Sequence, residues 1–545
     1  MTNSIPEIRD ADFLFVTGSN TTEAHPIIAM EMKRAVRRGA RLAVADPRGI
    51  WLTEIADWHL HLKPGTDVWL LNAMAHVILE ENLHQRDWIE KNTENFDAVA
   101  RNLASYTPER AQDVTGVPAQ LIREVARAYA TTPKAGIYYT LGITEHTTGT
   151  DNVYALSNLV LLTGHLGSRS SGLNPLRGQN NVQGANDAGA SPVFFPGYQR
   201  SDDPTVLKKF SAAWGVEQSQ VPGLNLNQMM KVMGESIKGL YVMGEDIVVS
   251  EPNVSLLEVG MNQMEFVVVQ DIFLNETCRY ADVVLPATCF AEKDGVFTNS
   301  DRRVQRVRKA VEPPGEARAD WEIIKDVMVR AGLVQPDYQS PGEIYDEMAA
   351  LAPKFSGISY ERIDREGGLQ WPVETPTSPS TEFLHKGGVL RGKGLFQPVD
   401  FKPPAEEADI EFPFILSTGR TLYHYNSATQ TRRNPGLDEK QPESYVEIHP
   451  GDARKRGLED GQMVRVETRR GALDCRVMIS RQVQRGTVWM PFHFSEARAN
   501  LLTNDAGDAV TGTGEYKVCA ARLIPLEEGL SSERRFPGAY ANSLL

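Results

Sequence analysis

The chain has 545 residues, 41% hydrophobic and 23% charged, enough to bury several cores and unlike a disordered or fibrous protein; at about 100 to 200 residues per domain, three or four domains are expected. The 57 basic against 71 acidic residues give a formal charge of −14, which argues against a nucleic-acid partner held by phosphate neutralisation. Four cysteines (Cys278, Cys289, Cys475, Cys519) show no zinc or iron–sulfur spacing, no signal peptide is visible and no run reaches the length of a membrane span, so a cytoplasmic protein with reduced thiols is expected.

Asp12 to Thr17 is a short apolar run ending in Gly18 and Asn20, followed by an amphipathic stretch from Ile27 to Arg38; this predicts strand, polar loop, helix. Arg41 to Ala45 predicts a second strand, stopping at Asp46 and Arg48, and Trp69 to Glu81 predicts a helix. Alternating strands and helices imply a parallel sheet with ligands at the carboxyl ends of its strands, so Gly18, Asn20, Asp46, Arg48 and Asp67 are expected on one rim. No GxGxxG is present, so an ordinary dinucleotide fingerprint is absent.

Pro118 to Tyr129 reads as a helix, and Gly136 to Leu141 as a strand running into Gly142 and His146, a histidine that could be catalytic or structural. An apolar helix-like segment, Ala155 to Gly164, then precedes LRGQNNVQGAND, from Leu176 to Asp187. That run sets Arg177 among four carboxamides, Gln179, Asn180, Asn181 and Gln183. It reads either as a polar surface loop or as a site for a small anion beside a large polar cofactor, since a guanidinium grips a carboxylate in a two-pronged fork and carboxamides both donate and accept.

A second passage repeats the first: Gly239 to Met243 leads to Gly244, Glu245 and Asp246, Glu265 to Val269 ends at Asp271, and Asp282 follows. Gly18 to Asp46 spans 28 positions and Gly244 to Asp271 spans 27, while Asp46 to Asp57 and Asp271 to Asp282 both span 11. Such matching suggests two related nucleotide-binding units and two copies of one nucleotide-like ligand; chance likeness between common strand-loop-helix units is the alternative. Residues 330 to 405 read as irregular connection. From Phe412 short strands with turns predict a closed β-barrel: Phe414 to Ser417, Tyr445 to Ile448, Met463 to Glu467, Leu473 to Ile479 and Thr487 to Met490. The expected class is α/β, two related parallel-sheet nucleotide-binding units followed by a C-terminal β-barrel. Its expected segments are 1–178, 179–330, the connection 331–408, and 409–545.

Twelve stretches carry a resemblance: GSNTTEAHP, ADPR, KPGTD, LLTGHLG, LRGQNNVQGAND, YVMGED, QDIFLNET, ADVVLPA, EKDGVFTNSDRRVQ, STGRTLYHYNS, HPGDARKRGLEDG and GEYKVCAARL. In this order they resemble the molybdopterin-guanine-dinucleotide oxidoreductases, specifically catalytic subunits of molybdenum- or tungsten-dependent formate dehydrogenases. The resemblance implies formate oxidation to carbon dioxide, or the reverse, at a metal flanked by two pterin guanine dinucleotides. It places the substrate arginine at Arg177, with Gln179 beside the metal. It gives cofactor binding to Gly18, Asn20, Glu23, Asp46, Arg48, Gly65, Asp67, Gly142, Gly244, Glu245, Asp246 and Asp271, and to Thr418, Arg420, His424, Asn500 and Lys517 of the barrel.

The family's cysteine-rich front and metal-ligating segment are not matched, so no metal ligand is assigned here. A 4Fe-4S cluster is expected only on a missing N-terminal part or a partner chain, together with an electron-acceptor subunit. A split enzyme, a fragment or a gene model cut at a selenocysteine codon all fit, and each of the first and last expects a cysteine cluster encoded upstream of Met1. Alternatives are another oxidoreductase of the superfamily, such as a nitrate reductase, or a non-catalytic pterin-binding or scaffold subunit.

Overall fold

A computed structural model describes residues 1–333 and 337–526. The chain divides into two compact units with interleaved segments. The larger takes Thr2–Asn174, Asp246–Gly260 and the chain from His385; the smaller takes Met1, Pro175–Glu245 and Met261–Leu384.

In the larger unit, β1 (Phe13–Thr17), α1 (Pro26–Arg37), β2 (Arg41–Ala45), β3 (Trp58–Leu60), α2 (Asp67–Glu80), α3 (Ala119–Thr131), β4 (Ala135–Tyr139), α4 (Gly149–Thr163) and β5 (Gly172–Pro175) build a sheet of order β3-β2-β1-β4-β5. β1 pairs in parallel with β2 (Phe13 opposite Arg41) and with β4 (Phe13 opposite Ala135). Every residue of β1 is buried, because a parallel sheet is covered on both faces and its central strands are continuously apolar. α1 turns Ile28, Ala29, Met32 and Ala35 inward, the one-sided stripe of a surface helix. α2 is buried almost all round and packs against both α3 and α4.

In the smaller unit α5 (Val182–Asp187) precedes β6 (Gly239–Met243). After the excursion Asp246–Gly260, which belongs to the larger unit, the chain returns in β7 (Phe266–Asp271) and then β8 (Val283–Pro286), giving a parallel sheet of order β8-β7-β6; α6 (Val254–Gln263) spans the return. This is the order of β3-β2-β1, and the anticipated repeat extends to single hydrogen bonds. Asp57 Oδ2 accepts Leu42 N–H at 2.8 Å, and Asp282 Oδ2 accepts Val267 N–H at 2.7 Å. Gly18 N–H donates to Ala45 O at 3.0 Å, and Gly244 N–H to Gln270 O at 2.9 Å, both glycines having positive φ.

β9 (Gly295–Thr298) and β10 (Arg303–Val307) form an antiparallel hairpin, and α7 (Asp320–Arg330) follows. The stretch expected to be irregular is partly ordered instead. α8 (Pro341–Leu351), α9 (Tyr360–Glu366) and β11 (Leu369–Gln370), which pairs with β10, close a core around Val304, Phe355, Ile363 and Trp371. Serine caps start both helices: Ser340 Oγ accepts Glu343 N–H at 3.3 Å and Ser359 Oγ accepts Arg362 N–H at 3.2 Å.

The barrel is closed by six strands, β12 (Phe414–Gly419), β13 (Tyr445–Ile448), β14 (Met463–Glu467), β15 (Ala472–Ile479), β16 (Thr487–Pro491) and β17 (Cys519–Pro525), ordered β12-β16-β13-β15-β14-β17. α10 (Pro450–Arg456) sits between β13 and β14 and is capped by His449, whose Nδ1 accepts Gly451 N–H at 3.0 Å. β17 was not among the expected strands. Among the described residues no helix is long and apolar enough to cross a membrane.

Candidate cofactor and substrate sites

The first sheet's rim is built by two glycines whose backbones touch. Gly142 N–H donates to Gly18 O at 3.1 Å, and a Cβ on Gly18 would lie 2.7 Å from the Gly142 carbonyl carbon. Around this contact the larger unit gathers Asn20, Glu23, Asp46, Arg48 and Asp67. Burial pushes the Asp46 carboxyl up to about 6, against the opposing pull of Arg48 N–H, which it accepts at 2.9 Å, and of the Arg48 and Lys517 charges. Burial likewise pushes Asp67 up to about 7, and the neighbouring Asp46 charge adds to the rise. Glu23 is also raised by burial, partly offset by Arg48. Gly65 has φ +79, and a Cβ there would press on Pro404 at 3.3 Å.

The barrel residues meet this rim within the same unit. Arg48 Nη2 contacts Glu447 Oε2 at 2.5 Å, and its guanidinium lies 3.9 Å over the Trp489 ring. Lys517 Nζ pairs with Glu145 Oε2 at 2.8 Å and donates to Thr418 O at 2.9 Å. Asn500 Nδ2 donates to Val249 O and Ser250 O at 2.9 and 2.8 Å. Asp246 Oδ2 accepts the Thr429 hydroxyl at 3.2 Å. Arg420 lies 5.4 Å from the Phe492 ring.

Other expected residues are engaged in holding the fold. Thr418 Oγ1 donates to Tyr516 O at 2.9 Å, and the two ring nitrogens of His424 contact Thr431 Oγ1 and Gln441 O. His146 is buried, its Nε2 bonded to Gly142 O at 3.0 Å, and burial pushes it down to about 4, so it is neutral near pH 7 and reads as structural. Glu447 and Trp489 escaped the sequence reading, while Glu515 was legible there only as part of the polar cluster Glu515-Tyr-Lys517, with no role assigned. Glu515, fully buried, accepts Thr147 N–H at 3.2 Å and Ala405 N–H at 3.1 Å. Its place in the motif GEYK was the available signal.

In the smaller unit Arg177 is half-buried; its backbone N–H donates to Ser300 Oγ at 3.2 Å and its Nε to Gln183 Oε1 at 3.0 Å. The loop is pinned to β9 where Thr298 N–H donates to Asn181 Oδ1 at 3.0 Å. Asn181 has φ +59, and its side chain occupies the space a Cβ on Gly184 would need, 2.1 Å away. Gln179 is half-buried in the same loop. At the end of β7, Asp271 Oδ1 accepts Ile272 N–H at 2.6 Å and Oδ2 accepts Asn275 Nδ2 at 2.9 Å, while Asn275 also reaches Glu245 O at 3.4 Å.

The larger unit's site fits a polar, nucleotide-like ligand. Asn20 Oδ1, Thr22 Oγ1, Arg48 Nε and Glu447 Oε1 are buried with no partner among the described residues. Buried polar atoms are costly unless paired, and this mixture of donors and acceptors is one that a polar ligand would satisfy. Among the described residues no group of three or more His, Cys, Asp or Glu is arranged to hold a metal ion.

Residues 1–330 match the family described as molybdopterin oxidoreductase, and residues 414–520 match the molydopterin dinucleotide binding domain. The F420-dependent formate dehydrogenase 2 subunit alpha of Methanococcus maripaludis is 43% identical over 527 residues, 96% of this chain and 78% of that protein. The F420-dependent formate dehydrogenase subunit alpha of Methanocaldococcus jannaschii is 44% identical, covering 96% and 78%. Formate dehydrogenase H of Escherichia coli is 38% identical, covering 98% and 76%. Acetylene hydratase from Pelobacter acetylenicus shares the fold with a TM-score of 0.74 over 96% of this chain and 81% of that one, at 18% identity.

Proposed function

The chain belongs to the molybdopterin oxidoreductase family, and from that premise we propose that it is the catalytic chain of a formate dehydrogenase, oxidising formate to carbon dioxide, two electrons and a proton, or running the reverse. The observation that carries this reading is 38 to 44% identity to formate dehydrogenases over nearly the whole chain, with LRGQNNVQGAND in place and Arg177 anchored at both backbone and Nε.

Formate carries hydrogen only on carbon, so its oxidation needs an electron acceptor beside that C–H bond. A bound molybdenum or tungsten centre with two pterin guanine dinucleotides supplies the two-electron sink. Arg177 orients the carboxylate by a charge-assisted contact, and Gln179 adds an uncharged donor and acceptor beside it. Gly18, Asn20, Glu23, Asp46, Arg48, Gly65, Asp67 and Gly142, with Asp246, Arg420, Asn500 and Lys517, serve one dinucleotide, and Gly244, Glu245 and Asp271 serve the other, while Thr418 and His424 brace the barrel loops beside them. The buried, unpaired polar atoms of Asn20, Arg48 and Glu447 at the first sheet's rim supply donors and acceptors for the first dinucleotide.

The metal's thiol or selenol ligand and a 4Fe-4S cluster are assigned to another segment or a partner chain. Cys475 and Cys519 are buried in the barrel, where desolvation raises their thiol pKa and disfavours the thiolate a metal needs. An electron-acceptor subunit and a cytoplasmic location belong to the same reading, as does the partition into segments 1–178, 179–330, 331–408 and 409–545. Elemental and pterin analysis of the native protein, with formate-dependent dye reduction, tests it. Molybdenum or tungsten with about two guanine dinucleotides per chain is expected; metal-free, pterin-free protein would reduce this chain to a scaffold.

A further inference from the structure

If Arg177 meets the substrate carboxylate, something must hold its guanidinium in one plane, because a freely rotating side chain would lose rotamer entropy at each binding event. The smaller unit supplies a relay of four side chains for this. Arg177 Nε–H donates to Gln183 Oε1 at 3.0 Å. Gln183 is buried on α5, and its Nε2 donates to Asp187 Oδ1 at 2.9 Å and to Tyr198 OH at 2.6 Å. Tyr198 OH donates to the same carboxylate oxygen at 2.8 Å, and Trp371 Nε1 donates to Asp187 Oδ2 at 2.9 Å.

The chemistry of this relay fixes which way the Gln183 amide faces. A carboxylate only accepts, so it draws the NH2 end; a guanidinium only donates, so it draws the carbonyl end. Turning the amide over would set donor against donor at Arg177 and acceptor against acceptor at Asp187. Burial works against ionisation of Asp187, and hydrogen bonds from Gln183, Tyr198 and Trp371 oppose that effect. Since Nε–H lies in the guanidinium plane, anchoring it fixes that plane.

We propose that Gln183 is a positioning residue for formate oxidation, its amide polarised and locked by Asp187, Tyr198 and Trp371 so that it sets the plane of the Arg177 guanidinium for the incoming carboxylate. The proposal rests on the reading that Arg177 binds formate, and its test separates the two. In the complete, metal-loaded enzyme, Gln183→Met, of similar length but without an acceptor, is expected to lower kcat/KM for formate tenfold or more. Gln183→Glu keeps an acceptor for Nε–H but sets an oxygen against Asp187 Oδ1, so it recovers the loss only when combined with Asp187→Asn, which restores a donor between the two. In an Arg177→Ala background Gln183→Met adds nothing further. Independently of turnover, in protein carrying 15N-arginine the Arg177 Nε–H signal, identified by its loss in Arg177→Ala, exchanges with water at least tenfold faster after Gln183→Met. Unchanged exchange, or kcat/KM within twofold of the parent, overturns the proposal while leaving Arg177 its role. Parent-like turnover in Arg177→Ala itself removes the substrate reading, and the proposal with it. Where Gln183→Met does not fold, Tyr198→Phe is the second variant: about a threefold fall in kcat/KM is expected, and parent-like kinetics count against the relay.

Discussion

Arg48 and Glu447 stand 399 residues apart in the chain, yet their side chains meet at 2.5 Å with the carboxylate fully shielded from water. The pair joins the first sheet's rim to the barrel, and Trp489 lies under the guanidinium. Removing one partner of a buried pair strands the other, so Glu447→Ala is expected to cost about 3 to 5 kcal/mol. Chemical denaturation measures this; an unchanged midpoint would show that water or a neighbour already compensates Arg48.

Arg177→Lys keeps the positive charge and loses the planar fork. Losing a charge-assisted hydrogen bond of about 1.5 to 3 kcal/mol should lower kcat/KM for formate by about 10- to 100-fold. Steady-state kinetics of the complete enzyme decide it, and parent-like values would remove Arg177 from the substrate site.

Asp67 makes stability depend on pH in the direction opposite to an ion-paired carboxylate. Its pKa of about 7 in the fold, against an ordinary 3.8, means that the native state holds the proton more tightly than the unfolded chain does. The contribution of Asp67 to stability is therefore fully present below about pH 4 and is lost as pH rises through about 7. In cofactor-free protein Asp67→Asn should stabilise by about 2 to 4 kcal/mol at pH 8 and by little at pH 4. Denaturation at both pH values measures the difference, and an equal gain at each would exclude ionisation as its source.

Gly18 and Gly244 are matching positions of the repeat with different surroundings. At Gly18 an added Cβ would lie 2.7 Å from backbone, whereas at Gly244, with φ +66, nothing lies within 4 Å. Gly18→Ala should therefore cost more than about 3 kcal/mol, and Gly244→Ala only the left-handed backbone penalty of about 1 kcal/mol. Comparable losses at both, by equilibrium unfolding, would contradict the packing account.

The repeat was legible because its signals are local: a glycine after one strand, an aspartate after the next, and a third strand entered through Asp57 or Asp282. Those aspartates proved to cap equivalent backbone N–H groups. The helices beginning at Pro341 and Tyr360 were missed although Ser340 and Glu343 already had capping spacing, since Pro and Gly in that region outweighed it. β17 was missed although CAARLIP is longer and more apolar than some strands that were found; it carries no alternation of apolar and polar residues, and its pairing partners lie upstream in β12 and β14. In the substrate loop Gln183 and Asp187 were visible one helical turn apart. Trp371, 184 residues beyond Asp187, could be found only through the folded chain.

The order of barrel strands also bears on biosynthesis. β17 pairs with β12 on one side and β14 on the other, so it is the stave that seals the ring. Until residue 525 has left the ribosome, the barrel is an open sheet with two bare edges, each a template for unwanted strand pairing. A nascent chain therefore exposes the β12 and β14 edges together until β17 has emerged, and a chaperone that shields strand edges would act in that interval.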